Sequence, residues 1–295
     1  MNLENIRAIA NAVLYEGYML YPYRPSALKN RSQGWSFGTL LPPSYVAESP
    51  GESDFMQGEI LLSATENTVV SIEARFLQLV NGTQTRERTV EVKLPIREVR
   101  VCIATPFNFD SNDPNLPRVS GVLEVKAERL DKVTKLTVRL HNRTEKGEGA
   151  VNRDQALTHA LIATHALVTV ENGRCISLLD PPEELRAAVS ICSQIGIFPV
   201  LVGDEAEQNA MLLSPIILYD YPQIATQSKG DFFDSSEIDE MLSLRVLTLS
   251  DAEKDEIRAA GGRVSQILER TEALSNAELS HLHGIMQPVA SEKQR

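Results

Sequence analysis

The stretch "VVSIEARFLQLV", residues 69–80, alternates apolar and polar side chains with a period of two. One face carries Val70, Ile72, Ala74 and Phe76. The opposite face carries Ser71, Glu73 and Arg75. Because successive side chains of a β-strand point to opposite faces, this pattern is typical of a strand with one buried face. We therefore expect a strand here that belongs to an antiparallel, half-buried sheet.

Turn residues next to this strand predict a hairpin. Asn81-Gly82 follows it directly, and "TVEVKL" at 89–94 alternates in the same way. Asn and Gly both tolerate the positive φ of a tight hairpin turn. A second hairpin is expected from the strands 122–130 and 133–141, around Asp131-Lys132. Its core-facing residues would be Leu136, Val138 and Leu140.

Asn172-Gly173, which lies between "ALVTV" and "RCISLL", predicts a third hairpin by the same reasoning. The segments "FPVLVG" and "SPIILYDY" have the composition of buried strands. By contrast, "ATPFNFDSNDPNLPRV" at 104–119 is rich in Pro, Asn and Asp, and we expect a long loop.

Helices are predicted at several places along the chain. Apolar residues at helical spacing favour a helix over 3–20, which Pro22 and Pro25 would end. Asn152 with Gln155 has the pattern of a capping box, and Asp180 followed by Pro181 would begin a further helix up to about 193. Ser250-x-x-Glu253 and Ser275-x-x-Glu278 indicate short helices near the C-terminus.

These elements predict an α+β fold: an antiparallel β-rich body with an N-terminal helix, a mixed α/β segment and a C-terminal helical tail. The expected boundaries divide the chain into four parts. These are 1–53, an N-terminal helix and extended arm; 54–149, the antiparallel β body; 150–235, a mixed α/β segment packed on it; and 236–295, the helical tail. A chain of 295 residues is long enough to bury a core of this size.

The charge of the chain is concentrated in one region. Residues 180–240 hold twelve acids and two bases, so this region accounts for −10 of the net charge of −11 that the whole chain carries. Such a region repels nucleic acid and anionic membrane surfaces, so we expect neither as a partner. It suits either solubility or a basic protein partner. The N-terminus lacks the pattern of a secretory signal, and no run reaches the length of a membrane span, so a cytoplasmic location is expected.

Motifs for catalysis and metal binding give no support for a reaction. "GWSFG" matches the pattern of a hydrolase nucleophile at Ser36, but no buried strand precedes it and two prolines follow. The five histidines and three cysteines lack zinc spacing, and no phosphate-binding loop is present. Cys102, Cys175 and Cys192 are expected to be small buried thiols. We expect no catalytic residue, no metal and no cofactor.

Six of the seven tyrosines lie in two similar windows, "LYEGYMLYPYRP" at 14–25 and "ILYDYPQ" at 217–223. The residues predicted to form a binding site are Tyr15, Tyr18, Tyr21, Tyr23, Arg24, Tyr219, Asp220 and Tyr221. In a strand, Tyr219 and Tyr221 would share one face, with Asp220 on the other. The hypothesis is that the two windows pack together and that Arg24 pairs with Asp220. Structural packing alone, a partner surface and a pocket lined with hydroxyl groups all remain open.

Four segments of the sequence also resemble an uncharacterised bacterial protein family found in gene clusters of uptake nickel–iron hydrogenases. The segments are "LYEGYMLYPYRPSALKNR", "SLLDPPEEL", "SPIILYDYPQIA" and "EIDEMLSLRVLTLSDAEK". The resemblance covers most of the chain and implies a role beside a metalloenzyme, without implying any catalytic residue. The lack of Cys/His ligand sets argues against a nickel-delivering or electron-carrying subunit.

Two functions are therefore expected as alternatives. The first is a non-catalytic accessory or assembly protein that contacts other proteins, with a hydrogenase subunit or maturation factor as its partner. The second is a small-molecule-binding protein or enzyme with a tyrosine-lined pocket. A deep cleft that contains Tyr21 or Tyr23 together with Asp220 would favour the second.

Overall fold

A computed structural model describes most of the chain. The described residues are 6–11, 37–80, 84–110, 116–145 and 152–222, together with positions 251, 254, 255, 258, 268, 269, 272 and 273. The chain divides into two compact units, one of residues 1–18 and 33–222 and the other of residues 19–32 and 223–295. Within the described residues, no helix combines the length and the apolar composition that a membrane span requires.

The first unit consists mainly of antiparallel β-sheet, accompanied by a few short helices. Its helices are α1 (residues 6–11), α2 (Pro43–Val46), α3 (Arg153–Leu157), a 3₁₀ turn (Glu183–Leu185) and α4 (Arg186–Ser190). Its strands are β1 (Phe55–Val80), β2 (Gln84–Pro95), β3 (Arg100–Phe109), β4 (Val119–Arg129), β5 (Thr134–Asn142), β6 (Ile162–Ile176), β7 (Phe198–Leu201) and β8 (Ala210–Ser214). The β-rich body and helix 6–11 agree with the sequence prediction. The short helices make the fold poorer in helix than an α+β description suggests.

Strand β1 organises the sheet. Its first half pairs with β5, its second half pairs with β2, and β6 pairs along its other edge. The order of the sheet is β3-β4-β5-β1-β6-β8-β7, with β2 paired to β1 alone. The strands from 55–142 and those from 162–214 therefore belong to one continuous sheet.

Both predicted hairpins of the β body are present. β1 and β2 pair from Val69↔Pro95 to Val80↔Gln84. β4 and β5 pair up to Arg129↔Thr134. The period-two pattern is confirmed because Val70, Ile72, Ala74 and Phe76 are all buried. Leu136, Val138 and Leu140 are buried as predicted.

The inward faces of the strands meet in one large hydrophobic cluster, the main core. Phe76 of β1 lies 5.7 Å from Phe107 and 5.9 Å from Phe109 of β3, measured between ring centroids. These contacts bring the β3 end of the sheet against β1, although two strands, β4 and β5, separate them along the hydrogen-bonded order. Burial of this many apolar side chains is the main stabilising term of the unit.

Helix α1 packs on one face of the sheet, the face to which the polar side chains Glu73 and Arg75 of β1 point. Ile6, Ile9 and Ala10 are buried in a second cluster with residues of β6, β7 and β8. Asn11 accepts a hydrogen bond from Arg75 at 2.6 Å, and Arg7 lies 3.6 Å from Glu73. The charged face of β1 therefore anchors the helix that precedes the first tyrosine window.

Two of the predicted loops and turns are wrong. Residues 104–109 belong to β3, which pairs with β4 from Arg100↔Glu128 to Phe109↔Val119, and Val119 begins β4. Of the rest of 104–119, the described residues 110 and 116–118 lie outside the strands. Asn172-Gly173 is not a hairpin turn, because β6 continues through it. There the pairing with β1 shifts register between Ala64 and Val69. Asn172 has φ of 56°, so its positive-φ conformation serves an irregularity within the strand.

Two predictions near the second tyrosine window are also wrong. Strand β8 ends at Ser214, so "SPIILYDY" is not a strand. Asp180 does not cap a helix: the 3₁₀ turn begins at Glu183, with no capping hydrogen bond from a side chain. The capping box of Asn152 and Gln155 is confirmed, with both reciprocal hydrogen bonds present. "FPVLVG" is confirmed as the site of β7.

The second unit is described only at scattered positions. Arg258 pairs with Asp255 and Glu272, each at 2.8 Å, and Lys254 lies 3.3 Å from Glu272. Hydrogen bonds from Arg258 lower the pKa of Glu272. Most of the predicted helical tail, including Ser250, Glu253, Ser275 and Glu278, lies outside the described residues.

Candidate functional site

Five of the eight predicted site residues lie outside the described residues. They are Tyr15, Tyr18, Tyr21, Tyr23 and Arg24. The predicted docking of the two tyrosine windows and the Arg24–Asp220 pair therefore stay predictions. Tyr219, Asp220 and Tyr221 are described, and they lie beyond the end of β8 in a segment without regular secondary structure.

Asp220 connects three parts of the chain. Its Oδ2 accepts a hydrogen bond from the Ser177 hydroxyl at 2.5 Å, and its Oδ1 accepts one from the Leu201 backbone N–H at 2.7 Å. Ser177 Oγ in turn accepts from the backbone N–H of Asp180 at 2.9 Å. The carboxylate thus fixes the segment after β8 to the end of β7 and to the segment after β6.

The two tyrosines beside Asp220 point in different directions, so the prediction that they share a face is wrong. Tyr219 is 87% exposed, whereas Tyr221 packs against the main core. Tyr221 has φ of 57°, which turns the chain, and its N–H donates to Leu201 O at 2.7 Å. Burial raises the pKa of the Tyr221 hydroxyl. Tyr219 is therefore the tyrosine of this window that is available to a partner.

Exposed apolar side chains concentrate around this segment. Six of the eight large hydrophobic side chains that are exposed among the described residues lie between 179 and 219. They are Leu179, Ile191, Ile195, Phe198, Ile217 and Tyr219. Scattered single cases on a surface need no explanation, whereas exposed apolar side chains that lie together mark interaction sites. Leu179, Ile217 and Tyr219 lie on the two segments that the Ser177–Asp220 hydrogen bond joins. We call the exposed side chains of residues 177–192 and 198–221 the Asp220 surface.

Most of the charged side chains in the same stretch are exposed carboxylates. Residues 177–222 contain seven acids and a single base, Arg186. Six of the acids are exposed: Asp180, Glu183, Glu184, Asp204, Glu205 and Glu207. The Asp220 surface therefore combines apolar side chains with negative charge. The sequence revealed its charge but not Ser177, Leu179 or Ile217, which have no motif of their own.

Beside this surface, residues 193–195 cover the edge of β1. Ile195 and Gln57 exchange two backbone hydrogen bonds, Ile195 N–H to Gln57 O at 2.8 Å and Gln57 N–H to Ile195 O at 3.0 Å. The side-chain amide of Gln194 donates to Glu59 O at 2.6 Å and accepts from Glu59 N–H at 3.0 Å. A side chain here takes the place of a neighbouring strand. We call residues 193–195 the edge strap.

Glu59 gives the edge strap an electrostatic anchor. Burial opposes its ionisation, but hydrogen bonds from Ser193 N–H and the Thr137 hydroxyl, together with nearby Lys135, lower the pKa of Glu59. The carboxylate is therefore a charged structural acceptor.

The cysteines differ in their surroundings. Cys175 is buried and Cys192 half-buried, and burial raises their pKa values to about 12 and about 11. Their thiols are protonated at neutral pH and poorly nucleophilic. Cys102 is exposed on β3, so the prediction that all three are buried is wrong for this residue. In the part of the chain that is described, no three His, Cys, Asp or Glu side chains are grouped closely enough to hold a metal ion.

A groove of about 440 Å³ lies elsewhere in the unit. Its described lining includes Gly51, Glu52, Phe55, Arg153 and Gly196, and none of the tyrosines is part of that lining. Arg153 and Glu52, which both belong to that lining, form an ion pair at 2.8 Å. The groove therefore differs from the tyrosine-lined pocket that the alternative function requires.

Comparisons with models of protein families and with curated proteins give no match to this chain.

Proposed function

We propose that this protein is a non-catalytic accessory protein that binds another protein through the Asp220 surface. The observation that carries the proposal is Tyr219, an aromatic side chain 87% exposed beside a carboxylate whose hydrogen bonds fix the backbone. Folding alone gives no reason to hold a tyrosine in this position, because its ring buries little area there. Exposed aromatic side chains on a fixed backbone are typical anchors of protein interfaces.

The neighbours of Tyr219 support the same function. Leu179 is 55% exposed and lies two residues after Ser177, which donates to Asp220. Ile217 is 78% exposed and lies two residues before Tyr219. A partner that covered these side chains would remove apolar area from water, at about 25 cal/mol per Å². The resemblance to a family from hydrogenase gene clusters makes a subunit or maturation factor of a nickel–iron hydrogenase the proposed partner.

Affinity purification of the tagged full-length protein from its native host tests this function. We expect a hydrogenase subunit or maturation factor to co-purify reproducibly and to bind again when both proteins are purified. Tyr219→Ala should weaken that binding by tenfold or more, because aromatic anchors contribute about 2 kcal/mol or more to an interface.

Val99→Ala is the matched control. Val99 is 69% exposed and lies outside the Asp220 surface, so its truncation also removes an exposed apolar side chain. We expect this variant to bind the partner like the unmodified protein. Reproducible absence of any hydrogenase protein would contradict the proposed partner. Equal binding by the Tyr219→Ala and Val99→Ala variants would contradict the proposed surface.

A further inference from the structure

We infer that the Asp220 surface recognises a basic, arginine-containing extended segment of its partner. The inference rests on the proposed function and adds the chemistry of the partner. Charge complementarity is the first reason: exposed carboxylates outnumber Arg186 by six to one in the Asp220 surface. Lysine or arginine side chains opposite these carboxylates would be attracted, whereas an acidic segment would be repelled.

The position of Tyr219 favours arginine over lysine. A short hydrogen-bonded connection runs from Asp180 N–H through Ser177 Oγ to the carboxylate of Asp220. Tyr219 is the residue next to Asp220 in the chain. A guanidinium group can stack on the ring of a tyrosine and donate to a nearby carboxylate at the same time. The exposed ring of Tyr219 and the exposed carboxylate of Asp180 provide these two features.

Asp220 itself acts as a positioning residue. Both oxygens of its carboxylate already accept hydrogen bonds within the protein, from Ser177 and Leu201. The carboxylates that would contact the partner are those of Asp180, Glu183 and Glu184, which are exposed on the segment that Ser177 begins.

Apolar side chains set a second requirement for the partner. Leu179 and Ile217 are exposed on the two segments that the Ser177–Asp220 hydrogen bond joins. A segment that alternates basic and apolar residues would place both kinds of side chain on this surface. Exposed ion pairs are individually weak, at about 0.2–1 kcal/mol, so the apolar contacts provide affinity while the charges provide orientation and selectivity.

Binding of three labelled ten-residue peptides to the full chain, measured by fluorescence anisotropy at low salt, tests the inference. The peptides alternate Arg-Leu, Lys-Leu or Glu-Leu. We expect the Arg-Leu peptide to bind most tightly, the Lys-Leu peptide more weakly and the Glu-Leu peptide not measurably. Because charge pairing contributes, the affinity for Arg-Leu should fall as salt is added.

Two double variants with the same change of charge locate the binding. Glu183→Lys/Glu184→Lys alters the Asp220 surface, and Glu66→Lys/Glu98→Lys alters exposed positions outside it. The first pair of substitutions should lower the affinity for the Arg-Leu peptide about tenfold, and the second pair should lower it less than twofold. Tyr219→Leu keeps an apolar side chain but removes the aromatic ring, so it should remove the preference for Arg-Leu over Lys-Leu. An unchanged urea midpoint confirms that each variant is folded.

Equal loss of binding in both double variants would overturn the inference, because attraction would then come from the overall charge. Equal binding of the Glu-Leu peptide would overturn it as well. If no peptide binds while the native partner still depends on Tyr219, this inference fails and the proposed function stands. If the Arg-Leu peptide binds as expected but no hydrogenase protein is captured, the proposed partner fails instead.

Discussion

Asp220 is the residue on which the geometry of the Asp220 surface depends. Asp220 accepts a hydrogen bond from the backbone N–H of Leu201, a residue that is 1% exposed. Removal of the carboxylate therefore leaves a buried donor without its acceptor. We expect Asp220→Ala to lower the free energy of unfolding by about 1–3 kcal/mol, measured by urea denaturation. Asp220→Asn keeps an oxygen acceptor and should lose less.

Ser177→Ala separates the two hydrogen bonds of Asp220. It removes the bond between side chains but leaves Leu201 N–H paired. The N–H groups of Leu179 and Asp180, which also use Ser177 Oγ, belong to exposed residues that water can reach. We therefore expect a smaller loss than for Asp220→Ala. A larger loss would show that the segment after β6, and not the end of β7, depends most on Asp220.

The edge strap shows at the scale of elements how a side chain can replace a strand. Gln194→Ala removes both hydrogen bonds that its amide makes with the backbone of Glu59. We expect the amide of Glu59 to exchange with solvent faster in this variant, because local opening governs exchange. Hydrogen exchange followed by mass spectrometry on a peptide covering 55–61 measures this change.

A peptide from β4 is the internal control for that experiment, because the backbone of β4 pairs with β3 and β5 and not with the edge strap. Faster exchange in both peptides would indicate global destabilisation. Unchanged exchange in 55–61 would show that the backbone pairing of Gln57 with Ile195 is sufficient to hold the edge strap.

Strands were predictable from the sequence where one face is polar and the other apolar. β1, β4 and β5 alternate in this way, and their hairpins were therefore recognised. β3 was missed because Pro106 and Asn108 are typical of loops. β3 nevertheless forms because it is the first strand in the order of the sheet. A proline in such an edge strand interrupts no hydrogen bonds on the side that has no neighbouring strand.

Asn172-Gly173 was misinterpreted for a related reason. The same positive φ that suits a hairpin turn also suits a register shift within a strand, and local sequence does not distinguish the two. A Cβ on Gly173 would lie 2.8 Å from Ser63 O, so Gly173→Ala should destabilise the pairing of β6 with β1. We expect a lower urea midpoint for this variant. Asn172→Gly adopts φ of 56° without strain and loses an exposed hydrogen bond from Asn172 Nδ2 to Asn67 O at 3.2 Å, so its effect should be smaller.

The candidate site was predictable only in part. The sequence indicated Tyr219 and Asp220 through their clustering with other tyrosines, and it indicated the acidic segment through charge. The partners of Asp220 lie 43 and 19 residues away in Ser177 and Leu201, and only the fold brings them together. The opposite orientations of Tyr219 and Tyr221 follow from the positive φ of Tyr221, for which tyrosine has no local preference.

At the scale of the whole molecule, His165 couples the stability of the sheet to pH. It is fully buried, and its Nδ1 lies 2.9 Å from Ala163 O, so Nδ1 carries the proton of the neutral ring. Burial lowers the pKa of His165 to about 4, and the cation of Arg75, its cross-strand neighbour, acts in the same direction. The unfolded chain, with a histidine pKa near 6.5, binds a proton that the folded chain excludes.

The sign of this coupling predicts acid instability. The stabilisation from neutral His165 is complete above about pH 6.5 and is lost as the pH falls towards 4. Between pH 7 and pH 5 the free energy of unfolding should fall by about 2 kcal/mol from this residue alone. His141 adds to the fall, because burial is the largest influence on its pKa and lowers it. Urea denaturation at the two pH values measures the sum.

His165→Asn separates the contribution of His165 from the rest. An asparagine amide can still donate to Ala163 O but cannot take up a proton, so this variant should lose less stability between pH 7 and pH 5 than the unmodified chain. Leu167→Ala, at a buried position two residues along β6, destabilises the sheet without removing a titrating group and should keep the full pH dependence. If both variants keep that dependence, other groups control acid unfolding and the burial of His165 has no part in it.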